Sequence, residues 1–111
     1  MSLSEKEIQT RCLKWLRNNG FFAFKLHLGG IKIGSRMVPN PAKGAPDIIA
    51  IKGGIFFGIE VKKPGGRVAP HQKEWHDKAR RFGAVIIVAY SVSQMAEDID
   101  SYVIDQDNGF Y

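Results

Sequence analysis

The residues best suited to chemistry are two carboxylates and an amine, Asp47, Glu60 and Lys62, within the stretch GAPDIIAIKGGIFFGIEVKK from Gly44 to Lys63. That stretch reads as two apolar strands around Gly53-Gly54, a dipeptide suited to a two-residue hairpin loop. With that loop Lys52 faces Ile55, and the same pairing carried along the strands sets Asp47 directly opposite Glu60. Directly opposed residues share one face of a sheet with Cβ atoms ~5 Å apart, where like charges repel. Lys62 lies two positions beyond Glu60, and the strand period turns it to the same face. Two carboxylates and a lysine thus converge at one end of the hairpin.

Ile49 and Ile51 share the Asp47 face, and Ile48, Ala50, Ile55, Phe57, Ile59 and Val61 occupy the other. Strands apolar on both faces are covered on both sides, so the charged trio sits at the rim of a dry core. A divalent cation between the carboxylates would balance the charge, and magnesium suits one or two carboxylates completed by waters and phosphate. The spacing is equally that of an ion-paired cluster in which Lys62 neutralises both acids.

The elements that must position this trio follow from periodicity. Ser4-Glu5-Lys6-Glu7 fits a capping box, with Ser4 as N-cap and Glu7 at N3. Ile8, Cys12, Trp15 and Leu16 then form a helical stripe ended by Asn19-Gly20. Glu5 leads that stripe toward one end of the sheet, and the helix dipole alone would also account for it. A first strand runs from Phe21 to Leu28, with Phe22, Phe24, Leu26 and Leu28 on one face and Lys25 and His27 on the other. Gly29 to Ala45 is loop-rich, with four glycines, two prolines and the cations Lys32, Arg36 and Lys43, and Ile31 to Val38 suits a small hairpin. Long loops in compact domains are usually functional or mobile, and cations there suit a phosphate backbone. After the hairpin comes a basic turn with Lys63 and Arg67. Pro70 then opens a helix to about Phe82 whose inward face reads Gln72, Trp75, Ala79 and Phe82. Ala84 to Tyr90 is a continuous apolar run, the pattern of a buried central strand, and its helical crossover implies parallel pairing with strand 55–62. Ser91-x-x-Gln94 starts a last helix with Met95, Ile99 and Tyr102 inward.

Length and composition narrow the class. One domain, 1–111, is expected, large enough for a core without staples. No apolar run approaches the ~20 residues of a membrane span. The lone Cys12 excludes an internal disulfide and a cysteine-rich zinc site, and suits a buried helix face in a reducing cytoplasm. Residues 1–96 carry all 16 Lys and Arg against six acids, a net +10, while 97–111 carry five acids and no base, a net −5. A body this basic suits a polyanion, nucleic acid first, although it also serves solubility. Zinc-helix, Walker and Rossmann patterns are absent from the sequence: His71 and His76 lie five apart, no G-x-x-x-x-G-K-[ST] occurs, and no glycine fingerprint opens a helix after a strand.

Pro46-Asp47, a second strand and Glu60-Val61-Lys62 together resemble the PD-(D/E)XK nuclease motif. GAPD, IEVKKPGGR and Pro70-His71-Gln72 resemble, more narrowly, its VRR-NUC branch, and E-x-x-I-Q of that branch matches Glu5, Ile8 and Gln9. The likeness runs from Glu5 to about Ser93. It implies an α/β fold with a restriction-endonuclease-like core, a mixed four- to five-stranded sheet flanked by helices in the order αβββαβα. It implies Mg²⁺ or Mn²⁺ held by Asp47, Glu60 and the Val61 main-chain carbonyl, with Glu5 adding a ligand through water. Lys62 would orient the attacking water and Gln72 would belong to the active site. Lys32, Arg36, Lys43, Lys63 and Arg67 would contact DNA. Standalone members of this size resemble Holliday-junction resolvases, which implies a homodimer on branched DNA with no membrane and no small-molecule cofactor. A non-catalytic nucleic-acid-binding module and a restriction-type endonuclease are the alternatives. The first gains nothing from carboxylates facing a polyanion, and the second needs base-reading insertions for which 111 residues leave little room.

Overall fold

The computed structural model describes residues 3–26, 31–33, 36–38 and 43–108, the side chains of 31–33, 36–38 and 103–108 excepted. Helix α1 (Glu5–Asn18) starts at the anticipated capping box: Ser4 Oγ accepts from the Glu7 amide at 3.1 Å, and Glu7 Oε1 accepts from the Ser4 amide at 3.0 Å. It ends at Asn19, and Gly20 takes φ 85°, where a side chain would strain the backbone. Strand β1 (Phe22–Lys25) follows, then a separate hairpin of β2 (Ile31–Ile33) and β3 (Arg36–Val38). Strands β4 (Ile48–Lys52) and β5 (Ile55–Val61) form the central hairpin, α2 spans Pro70–Arg81, β6 Val85–Ala89 and α3 Val92–Asn108. Leaving out the β2–β3 hairpin, the order is the anticipated αβββαβα.

The main sheet runs β1-β4-β5-β6, antiparallel except for the parallel β5–β6 pair. Lys52 pairs with Ile55 and Ile48 with Ile59, the register that the Gly53-Gly54 turn dictates. Ile48, Ala50, Phe57, Ile59 and Val61 form one face, sealed by Ile8, Cys12 and Leu16 of α1 and Met95 and Ile99 of α3. Phe57 meets Phe21 and Tyr102 edge-on, with ring centroids 5.3 and 5.9 Å away. Burial pushes the Cys12 thiol up to about 11, so it packs as a small hydrophobe. Helix α2 packs along β6 on the opposite face. Among the described residues no helix is long and apolar enough to cross a membrane.

Two sequence expectations are overturned, on α2 and on β6, and the structure decides the faces of β1: Phe21 and Ala23 are inward, Ala23 pairs with Ala50 on the α1 side, and Phe22 is 68% exposed. Because α2 lies along β6, the far half of its sheet face stays open at Phe22 and Ile51. On α2 the deeply buried side chain is His76, while Phe82 caps the helix C-terminus, 85% exposed. Among the described residues, strand β6 is an edge strand, not a central one. Its apolar run reflects helices on both of its faces, which periodicity cannot distinguish from strand neighbours on both sides. His27 and Leu28 lie outside the described residues.

Candidate functional site

Asp47 is placed by the three residues before it. Gly44 has φ 98°, and a Cβ there would stand 2.7 Å from the His71 carbonyl oxygen, so the turn presses against the start of α2. Pro46 is fully buried over Gly58, where a Cβ would come within 2.6 Å of Pro46 Cγ and 2.8 Å of Ile86 Cδ1. The Asp47 carbonyl accepts from the Leu26 amide at 2.8 Å, and its carboxylate Oδ2 accepts from the Val61 amide at 2.8 Å. The side chain is thereby tied to the β5 backbone beside Glu60, the juxtaposition that the hairpin register implies.

Glu60 is 1% exposed and held from three directions. Gln72 Nε2 donates to Oε2 at 3.3 Å, His76 Nε2 stands 3.3 Å from Oε1, and Lys62 Nζ lies 3.8 Å from Oε2. Gln72 sits at N3 of α2, where its Oε1 accepts from the Ala69 amide at 2.9 Å and from Lys62 Nζ at 3.1 Å. Ala69 has no side-chain oxygen to return the bond, so this is half a capping box. Two donors on Oε1 fix the amide orientation and leave its NH₂ for Glu60. Lys62, mostly buried at 14% exposure, is thus aimed by both neighbours.

Burial, the Asp47 charge and a hydrogen bond with Asp47 push the Glu60 carboxyl up to about 8, against the opposing pull of Lys62. At neutral pH the carboxyl pair therefore holds a proton. Burial also lowers the His76 pKa, with Arg80 adding to the effect, so its contact with Glu60 is a hydrogen bond to a neutral ring. Glu5 is exposed in the first turn of α1 and its charge is felt at Glu60. It does not close a cage: among the described residues no three His, Cys, Asp or Glu side chains stand in ligand geometry. Lys43, Lys63 and Arg67 are exposed on the segments flanking β4 and β5. Lys32 and Arg36 occupy hairpin positions opposite Met37 and Ile33, and their side chains lie outside the described residues.

No family model matches the chain, and no curated protein matches it. Among solved structures, one described as "VRR_NUC domain" superposes with a TM-score of 0.66 at 26% identity, covering 88% of this chain and 96% of its own. The chain has the fold of a VRR-NUC domain. A second structure, "VRR_NUC domain protein", shares the fold with a TM-score of 0.59 at 22% identity over 93% of this chain and 90% of its own. The domain therefore has a nuclease-type fold, built from the same ordered elements that its motifs suggest.

Within this VRR-NUC-like fold, the residue that sequence reasoning passed over is His76. It reads as an unpaired histidine when measured against His71, five positions away. Measured against Gln72 it lies four positions on, one turn along the same helix face. That Q-x-x-x-H spacing, pointing at the strand that carries Glu60, is the signal that would have found it.

Proposed function

We propose that this VRR-NUC-like domain is a metal-dependent DNA endonuclease that hydrolyses phosphodiester bonds, acting on branched DNA as a homodimer. The observation that carries the reading is the buried Glu60 carboxyl beside the half-buried Asp47, with the Lys62 amine 3.8 Å from Glu60. Two neighbouring carboxylates that retain a proton up to about pH 8 form a site short of positive charge. A hard divalent cation suits an oxygen-donor set of this kind. Asp47, Glu60 and the Val61 carbonyl would hold Mg²⁺ or Mn²⁺, with Glu5 contributing through water. An ion held there would supply Lewis-acid chemistry, polarisation of the scissile phosphate and acidification of a water.

The chain's own groups supply the rest. Asp47 is anchored to the Val61 amide, so the acid pair keeps its spacing as DNA approaches. Lys62, pinned by Gln72, orients the attacking water and offsets charge building on the phosphoryl oxygens as the P–O bond to the leaving strand breaks. Gln72 holds Lys62 and Glu60 in one geometry. Lys43, Lys63 and Arg67, with Lys32 and Arg36 of the hairpin, would track the phosphate backbone without reading bases. One site cuts one strand, so paired cuts on a branched substrate call for two protomers about a two-fold axis.

The test is a cleavage panel of linear duplex, flap, nicked and four-way DNA with Mg²⁺ or with chelator. Cutting that requires Mg²⁺ and favours the four-way junction supports the reading in full. Binding without cutting under every divalent ion identifies a nucleic-acid-binding module instead.

A further inference from the structure

We propose that His76 is a positioning residue for Glu60: its Nε2–H donates to Oε1 and, with Gln72 on Oε2, fixes both oxygens of the carboxylate that receives the metal ion. The inference rests on the metal-dependent reading above. Helix α2 needs an apolar side chain at this depth, and an imidazole buried to 2% exposure is costly unless its polar atoms are used. The ring stands 3.3 Å from Glu60 Oε1, and the Trp75 ring lies at 89° to it with centroids 6.5 Å apart. Gln72 alone would hold one oxygen and leave the carboxylate free to pivot about its last carbon–carbon bond. A donor on the second oxygen, one helical turn further along, stops that pivot. Groups that hydrogen-bond a ligating carboxylate typically account for about 10–100-fold in metal affinity or activity.

Two measurements test this. In the full chain labelled with ¹⁵N-histidine and saturated with Mg²⁺, the His76 signals should be those of the Nε2–H tautomer. A bare Nε2, in the ring or on the metal, overturns the proposal. Second, Mn²⁺ affinity is measured by calorimetry without DNA, and kcat and KM are measured on cleavable DNA. His76→Phe should weaken Mn²⁺ binding about 10–100-fold and lower kcat with KM for DNA unchanged. His76→Gln, which retains an N–H donor, should recover affinity to within about threefold of wild type. A folded His76→Phe that binds Mn²⁺ as wild type does overturns the proposal alone. Should that variant not fold, the tautomer and His76→Gln decide. A wild-type chain that binds no Mn²⁺ overturns the metal reading and this inference with it.

Discussion

With burial and the Asp47 charge both opposing ionisation, Glu60 of the ion-free protein releases its proton near pH 8. In the unfolded chain it does so at an ordinary carboxyl pKa. Between those values the folded state binds more protons than the unfolded one, so stability falls as pH rises through the folded pKa. From pH 7 to pH 9, where the low-pKa His76 stays neutral in the folded state, denaturation without divalent ions should show a loss of about 1 kcal/mol. Glu60→Gln should remove most of that slope, leaving the smaller part that the raised Cys12 thiol contributes near pH 9, and an unchanged slope in the variant would assign the titration elsewhere. The same residue carries the proposed chemistry. Asp47→Ala or Glu60→Ala should abolish cleavage while leaving the fold intact and DNA binding equal or tighter, because negative charge is removed. Ca²⁺ should support binding without cutting in the wild type. Wild-type turnover in either variant would displace the metal assignment.

At the scale of elements, the site depends on how closely the GAPD turn approaches β5. Gly58 leaves room for Pro46, and a Cβ there would sit 2.6 Å from the ring carbon. Gly58→Val should cost about 1–3 kcal/mol by overpacking. It should also lower cleavage further than the unfolded fraction explains, because Pro46 carries Asp47 with it. Activity measured well below the melting midpoint separates the two effects. The basic segments can be resolved from the amine that β5 positions. Lys43→Ala, Lys63→Ala or Arg67→Ala should weaken binding and reduce the salt slope by about 1 each where a phosphate contact is lost. Lys62→Ala should instead lower kcat by about 10²–10³ with little change in affinity. The reverse pattern would move the chemistry away from Lys62.

At the scale of the whole molecule, the charge is divided: residues 1–96 are strongly basic and residues 97–111 acidic. A basic body with no obvious base-reading element should recognise backbone geometry and show little sequence preference. The expected state is a homodimer that places paired nicks on strands of like polarity in a four-way junction, in preference to matched duplex. Light scattering followed by cut mapping on a labelled junction checks both parts. A monomer that degrades duplex and junction equally would leave a nuclease and discard the junction resolvase.

The sequence by itself determined the hairpin register, because a two-residue Gly-Gly turn admits one pairing and that pairing alone brings Asp47 beside Glu60. It also determined the capping box of α1 and the inward stripe of α1 and α3, since both are local consequences of spacing. Gln72 was legible through its match to a motif, although periodicity also set it on the inward face of α2. Only the tertiary structure decided what each face meets. Periodicity places Phe22 and Phe24 on one side of β1, but which side is covered depends on where α2 lies across the sheet. The apolar run of β6 reports covered faces and is silent on whether another strand stands beside it. His76 is divided between the two: its spacing from Gln72 sets it on the same helix face, but its partner Glu60, sixteen residues away in the chain and 3.3 Å away in space, is supplied by the tertiary structure alone.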